Sequence, residues 1–187
     1  MKWRTRLFLI LLSVLIVAFL VDQWRRTHLE SSQDKNILAA ARKYDVDPAL
    51  IKAVVWRESR FNPRAHGSKG ETGLMQIMEN TGLDWAGAQR VPLFSSLTLR
   101  DPVQNIDCGT WYLRKSLARY AKTDDPVPYA LADYNAGRGN ALKWMTGEAV
   151  TNSAAFVEQI GFPSTRDYVR AVQQRQQKYA REFEAQK

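Results

Sequence analysis

The sequence predicts an all-α fold, with a single helical domain that follows an apolar N-terminal segment. Three observations support this prediction. Apolar residues recur at helical spacing, no stretch is convincing as a β-strand, and caps and breakers divide the chain into short helices. Once the N-terminal segment is set aside, the rest of the 187 residues suffices for one hydrophobic core.

The first element is an apolar run from Leu7 to Val21 that only Ser13 interrupts. The stretch from Trp3 to Trp24 would form about 33 Å of helix, which is long enough to cross a bilayer. The run does not end in an Ala-x-Ala cleavage site, and no cysteine follows it as in a lipoprotein signal. We therefore favour an uncleaved membrane anchor over a signal peptide. Three basic residues precede the run: Lys2, Arg4 and Arg6.

Basic residues before a span favour a cytoplasmic N-terminus and an exported remainder, although Arg25 and Arg26 beyond the span weaken this preference. We divide the chain into a membrane anchor or signal segment (residues 1–24), a polar tether (25–33) and an exported domain (34–187). The domain is expected outside the cytoplasm, held at the inner membrane, or secreted if the N-terminal segment is cleaved.

Capping residues mark the helices of the exported domain. Asp47 with Pro48 can start one helix, Asp101 with Pro102 another, and Ser164 the last. The predicted helical stretches are residues 34–44, 47–60, 73–81, 102–120, 127–136, 138–146, 153–160 and 164–183. Three glycines predict a tight, non-helical loop after the second of these helices: Gly67, Gly70 and Gly73.

Composition narrows the possible functions. Cys108 is the only cysteine, and His28 and His66 are the only histidines, so we expect no disulfide, no metal site and no cofactor. The net charge is +8; five basic residues against two acidic ones place +3 in residues 1–30 and leave +5 for the rest. This charge suits an anionic partner such as a bacterial wall or a membrane surface. We find no nucleic-acid-binding motif and expect no nucleic-acid partner.

Glu58 is the main candidate for a catalytic residue. Ile51, Val54 and Val55 share its face of the predicted helix, so the carboxyl group sits at the end of an apolar stripe. Such a position desolvates the carboxyl group, raises its pKa and suits a general acid. The alternative is a structural ion pair with Arg57 or Arg60.

Three later segments extend this picture: Gly73 to Gln76, Ala132 to Gly137 and, near the end, Phe156 to Glu158 with Thr165 to Val169. Together with Glu58 and Ser59, their order and spacing resemble the family 1 lytic transglycosylases, which carry Glu-Ser, then Gly-Leu-Met-Gln, then Tyr-Asn-Ala-Gly. The resemblance covers about residues 34–180. Further matches are Phe61-Asn62-Pro63, Asp101 to Ile106, Trp111 to Leu113 and Thr165 to Val169.

The resemblance implies a goose-lysozyme-like domain that cuts peptidoglycan glycan strands in the bacterial cell envelope. Enzymes of this family break the β-1,4 bond between N-acetylmuramic acid and N-acetylglucosamine without water. The C6 hydroxyl of the muramic acid attacks C1 and leaves a 1,6-anhydro ring. Because the substrate supplies its own nucleophile, one carboxyl group suffices where most glycosidases need two. Glu58 would first protonate the leaving oxygen and then accept the proton of the C6 hydroxyl.

The resemblance also implies roles for other residues. Tyr134 would orient Glu58 through its hydroxyl, and Asn135 would help to hold the cleft, while Met75 and Gln76 would line it. The other predicted substrate-binding residues are Ser59, which also supports the turn, Ser68, Glu158 and Tyr168. For the last two a structural role remains open, with Glu158 paired to Arg166 and Tyr168 packed in the core.

The chain departs from the family pattern at four positions. Gly67 stands where the family often has a serine, so either the neighbouring Ser68 replaces that serine or its contact is missing. Glu71 replaces the usual alanine; it could raise the pKa of Glu58, activate water for hydrolysis, or face solvent. Two more substitutions, Glu79 and Asp133, are expected at the surface.

Two other functions remain open from the sequence. The first is a lysozyme-type hydrolase on the same fold. The second is an exported domain that binds glycan or serves as a scaffold without cutting. The intact set of motifs around Glu58 favours the enzyme, because a pure binder has no need of a desolvated acid.

Overall fold

The structure, a computed structural model, describes residues 2–185; the side chains of Lys2, Arg4 and Arg26, on which the predicted topology partly rests, lie outside the description. The described part contains nine α-helices and two short 3₁₀ helices (Ser96–Arg100 and Gly147–Val150). The α-helices are α1 (Lys2–Ser31), α2 (Asp34–Tyr44), α3 (Pro48–Ser59), α4 (Glu79–Gln89), α5 (Pro102–Arg119), α6 (Pro126–Ala136), α7 (Arg138–Trp144), α8 (Ser153–Gln159) and α9 (Pro163–Glu184). The β-structure of the described part is limited to isolated bridges around Thr72, so the predicted all-α class is confirmed.

α1 is long and apolar enough to cross a membrane by length and composition, a property that signal sequences share. Its apolar side chains are exposed from Leu7 to Val21, because none of them packs against the domain. Most of the predicted tether is helical in the structure: α1 continues to Ser31, and the carboxylate of Glu30 lies 3.2 Å from Nζ of Lys178 in α9. The division of the chain at residues 24 and 33 stays a prediction.

The core of the domain surrounds α3. Asp47 caps this helix by accepting a hydrogen bond from the amide of Ala49, and Pro48 occupies the first position, as predicted. α9 packs along α3, and α6 packs against both α5 and α9. Lys52 is buried within α3 at 2% exposure, and its ammonium lies 2.7 Å from the carboxylate of Asp34.

One predicted helix, at residues 73–81, was wrong in position. Gly73 and Gln76 have positive φ angles of 79° and 48°, which a helix does not tolerate. The amide and carbonyl groups of Thr72 and Ile77 bond to each other at 3.0 Å and close a tight turn over residues 73–76. The helix begins only at Glu79, which is exposed as expected.

Candidate active site

Glu58 is the penultimate residue of α3 and lies where this helix leaves the core. Ile51, Val54 and Val55 on the same face are fully buried, as predicted. Ser59 ends the helix, and its hydroxyl donates to the carbonyl of Val55 at 3.2 Å. Ser59 therefore supports the turn as predicted, but its side chain is committed to the helix end and not to a ligand.

A strained turn fixes the direction in which the chain leaves Glu58. Arg60 and Phe61 both adopt left-handed backbone conformations, with φ angles of 53° and 63°. Such conformations cost about 1–3 kcal/mol each for non-glycine residues and persist only where packing enforces them. Phe61 is 2% exposed and packs in the core, so burial of its ring holds the turn beside Glu58.

The carboxyl group of Glu58 accepts a hydrogen bond of 2.6 Å from the hydroxyl of Tyr168, a buried residue of α9. Burial raises the pKa of Glu58 from 4.5 to about 7. The bond from Tyr168 and the positive charge of Arg57 oppose this rise, while the negative charge of Glu71 adds to it. Burial raises the pKa of Tyr168 well above its usual value, so it remains a hydroxyl donor at neutral pH.

Tyr134 does not orient Glu58 in the predicted way. Its hydroxyl donates to the backbone carbonyl of Met75 at 2.7 Å, and its ring contacts that of Tyr112 edge to face. The predicted function of the Tyr134 hydroxyl thus belongs to Tyr168, which the sequence analysis placed only as a later cleft residue. Tyr134 instead ties α6 to the turn at residues 73–76.

A buried amide that the sequence analysis did not single out holds this turn in place. Asn105, on α5, accepts a hydrogen bond from the amide of Met75 and donates to the carbonyls of Thr72 and Leu99, each at 2.8 Å. Gly73 is required beside it, because a Cβ there would lie 2.3 Å from Nδ2 of Asn105. The signal available in the sequence was a polar residue on the apolar face of α5.

Met75 and Gln76 occupy this turn but contribute differently from the prediction. The side chain of Met75 is fully buried, and it fills the space beside Gly109, where a Cβ would lie 2.4 Å from its sulfur. Met75 therefore supports the cleft wall from inside and does not line the cleft. Gln76 is half-buried, and its amide donates to the carbonyl of Gly73 at 2.9 Å.

The loop of Gly67 to Thr72 carries two of the four departures from the family pattern. The carboxylate of Glu71 turns back onto its own loop and accepts a hydrogen bond of 2.9 Å from the amide of Lys69. It fills the space beside Gly67, because a Cβ there would lie 2.3 Å from Oε2 of Glu71. Bonds to backbone amides lower the pKa of Glu71, so it is ionised at neutral pH. Ser68 is exposed next to this pair.

The other predicted site residues, Asn135 and Glu158, bond to partners other than Glu58. Oδ1 of Asn135 accepts a hydrogen bond of 2.8 Å from Thr165, which joins the end of α6 to the start of α9. Glu158 is exposed and forms a surface ion pair of 2.6 Å with Arg170. Arg166 donates to the backbone carbonyls of Glu158 and Ile160 at 2.9 and 2.7 Å, so the alternative in which its side chain pairs with that of Glu158 was wrong.

Asp133 was expected at the surface, and this expectation was wrong. The residue is fully buried and forms an ion pair of 2.9 Å with Arg119. The hydroxyl of Tyr120 also donates to its carboxylate at 2.9 Å. Asp133 thus joins α5 to α6 beneath the segment that carries Tyr134 and Asn135.

The geometry offers one carboxyl group that can exchange a proton near neutral pH. Among residues 2–185 no ion pair joins Glu58 to Arg57 or Arg60, and no cluster of potential metal ligands is found. A carboxyl group with a pKa of about 7 can serve as an acid in one step and as a base in the next. Cys108 is buried, and burial raises the pKa of its thiol to about 12, which makes it unreactive.

The sequence of this chain is similar to those of known proteins. Residues 35–156 match the family model described as "Transglycosylase SLT domain". The chain is 35% identical over 130 residues to the soluble lytic murein transglycosylase of Escherichia coli K12, which covers 68% of this chain and 20% of that protein. It is 39% identical over 117 residues to the membrane-bound lytic murein transglycosylase C of Klebsiella pneumoniae, which covers 59% and 32% respectively.

Solved structures give the same picture for the fold. An inactive mutant of the lytic transglycosylase Slt from Pseudomonas aeruginosa superposes with a TM-score of 0.76 and 27% identity, over 83% of this chain and 25% of that chain. The 70 kDa soluble lytic transglycosylase of Escherichia coli gives a TM-score of 0.70 and 29% identity, over 80% and 25%. The chain thus spans only a fifth to a third of the length of the curated relatives described above.

Proposed function

Because this chain belongs to the family of transglycosylase SLT domains, we propose that it is a peptidoglycan lytic transglycosylase with Glu58 as its single acid and base. The observation that carries this proposal is the carboxyl group of Glu58, which has a pKa of about 7 at the end of a buried helix. The relatives named as lytic murein transglycosylases support the substrate and the type of reaction.

In the proposed reaction, protonated Glu58 donates its proton to the glycosidic oxygen as the bond to C1 of N-acetylmuramic acid breaks. The resulting carboxylate then accepts the proton of the C6 hydroxyl as its oxygen bonds to C1 and closes the anhydro ring. Tyr168 holds the carboxyl group in one orientation and stabilises the ionised form between the two steps. A pKa near neutrality suits both halves of this cycle.

One structural feature supports the site without touching the reacting atoms. The turn at residues 73–76, which Asn105 and Tyr134 fix, forms one side of the surroundings of Glu58. We assign substrate contacts to Gln76 and Ser68, which are at least partly exposed on this side. Asn135 is also exposed and completes the proposed set.

The location proposed for the enzyme is the cell envelope. α1 acts as a membrane anchor in this proposal, with the catalytic domain on the periplasmic side of the inner membrane. The apolar side chains of α1 that have no contact with the domain support the anchor, and so does the similarity to a relative described as membrane-bound.

The experiment is a digest of purified peptidoglycan by the full chain, with the products identified by mass spectrometry. Products with 1,6-anhydro ends that disappear with Glu58→Gln are expected. Reducing ends in their place would indicate hydrolysis and direct attention to Glu71, whose ionised carboxylate adds to the rise in the pKa of Glu58. Folded protein without any product would favour a glycan-binding or scaffolding role.

A further inference from the structure

Cationic side chains surround the indole of Trp56, which lies on α3 near the end of α1 and two residues before Glu58. The guanidinium of Arg60 lies 3.6 Å from the centre of the indole ring, and that of Arg175 lies 4.0 Å from it. These three side chains border a pocket of about 470 Å³. The other residues that line the pocket are Leu29, Glu30 and Phe61. We call it the Trp56 pocket.

The Trp56 pocket carries an excess of positive charge. Glu30 is the acidic residue in its wall, and its carboxylate already lies 3.7 Å from Arg175 and 3.2 Å from Lys178. Arg60 has no carboxylate partner within residues 2–185. Partial burial, and then the positive charges of Arg175 and Arg57, lower the pKa of Arg60. Two guanidinium groups that contact one indole, of which only Arg175 is paired with an acid of the described chain, are an arrangement that an anion would stabilise.

The position of the pocket along α1 indicates where that anion comes from. Glu30 follows Trp24 by six residues and Val21 by nine, which is about 9 to 14 Å of helix. Each headgroup layer of a bilayer is roughly 5–8 Å thick, and tryptophan prefers this interface. If α1 spans the membrane upright, Glu30 lies roughly 1–9 Å beyond the outer edge of the headgroup layer, and the usual tilt of a membrane helix brings one side of the domain closer to the lipids. Attraction between lipid charge and arginine acts over this distance.

We propose that the Trp56 pocket binds the headgroup phosphate of an anionic phospholipid, with Arg60 and Arg175 as donors. Trp56 and Leu29 offer apolar contact beside the bound phosphate. This inference rests on the proposed membrane anchor but not on the proposed catalysis. Since α1 is continuous to Ser31, the bound lipid fixes the orientation of the domain on the membrane surface.

The test uses the full chain, extracted from membranes in mild detergent and titrated with phosphatidylglycerol or phosphatidylcholine. Native mass spectrometry counts the lipids bound. The variants are Arg60→Gln, which leaves both contacts of Glu30 intact, and Arg60→Gln with Arg175→Gln. The matched control carries Arg90→Gln with Arg114→Gln, two exposed arginines outside the pocket. Thermal unfolding shows whether each variant is folded.

We expect one phosphatidylglycerol to bind in preference to phosphatidylcholine. An arginine near an anionic surface contributes about 1 kcal/mol, so the single variant should bind about fivefold and the double variant about 30-fold more weakly. The control should bind as the unmodified chain does. Unchanged binding by the folded double variant would overturn the inference, and so would equal binding of both lipids. Displacement of the lipid by inorganic phosphate at comparable concentration would reassign the pocket to a free anion.

A separate experiment tests whether α1 is a membrane anchor. Carbonate extraction of membranes, with the mass of the intact chain, shows whether α1 is retained in the bilayer. Release into the soluble fraction would refute both the anchor and the lipid site. Retention without preference for phosphatidylglycerol would refute the lipid site alone. The peptidoglycan digest of the unmodified chain tests catalysis independently; the Arg60 variants are not used for it, because Arg60 lies in the turn beside Glu58.

Discussion

Replacing Tyr168 by phenylalanine should move the alkaline limb of the pH–activity profile upward. The hydroxyl of Tyr168 donates to the Glu58 carboxyl group at 2.6 Å, a bond that favours the ionised form and so lowers the pKa of Glu58. A hydrogen bond to a charged group contributes about 1.5–3 kcal/mol, and one pKa unit corresponds to about 1.4 kcal/mol. Loss of the bond should therefore raise the pKa of Glu58 from about 7 by about 1–2 units.

The assay is the initial rate of release of anhydromuropeptides from purified peptidoglycan, measured at limiting substrate between acid and alkaline pH. Because general-acid catalysis needs protonated Glu58, the rate should fall above neutral pH in the unmodified chain and about 1–2 units higher in the variant. The rate at the optimum should drop, since the carboxyl group is no longer held in one orientation.

Tyr134→Phe is the matched control. It also removes one tyrosine hydroxyl, but the bond lost is to the carbonyl of Met75 and not to Glu58. Its alkaline limb should stay in place, with a loss of stability of about 1 kcal/mol. A limb that moves with Tyr134→Phe and stays with Tyr168→Phe would refute the assignment made from the structure and restore the one made from the sequence.

Three further predictions concern stability, and denaturant unfolding checks each of them. Because the pKa of Glu58 is raised in the folded chain, its ionisation lowers the free energy of unfolding between pH 4.5 and about 7. Glu58→Gln should therefore increase the free energy of unfolding by up to about 3 kcal/mol at pH 8 and leave it unchanged at pH 4. Equal effects at both pH values would contradict the raised pKa. Gly73→Ala should lower the free energy of unfolding several times more than Gly70→Ala does. Both positions have positive φ, but only at Gly73 would the new Cβ collide with a buried side chain. Equal losses of stability would mean that this turn can relax. Asp133→Ala should cost about 3 kcal/mol or more because it breaks a buried ion pair with Arg119, whereas a surface position would give almost no change.

The sequence determined most of the helices, because their signals are local. Asp47 and Pro48 start α3, and Asp101 and Pro102 start α5, where a cap or a proline acts within a few residues along the chain. The structure also confirmed the all-α class and the burial of the face that carries Glu58, and the comparisons confirmed the family. The helix predicted at residues 73–81 was wrong because no local signal in the sequence revealed the left-handed conformation of Gln76.

Tertiary structure decided how the groups around Glu58 are connected. Tyr168 lies 110 residues further along the chain, so only the packing of α9 on α3 places its hydroxyl on the carboxyl group. The same applies to Asp133, whose burial depends on the approach of α5 to α6, and to Glu30, which meets α9 only in the folded chain. A sequence specifies local conformation through propensity and periodicity, but the partner of a buried polar group is chosen by helix packing.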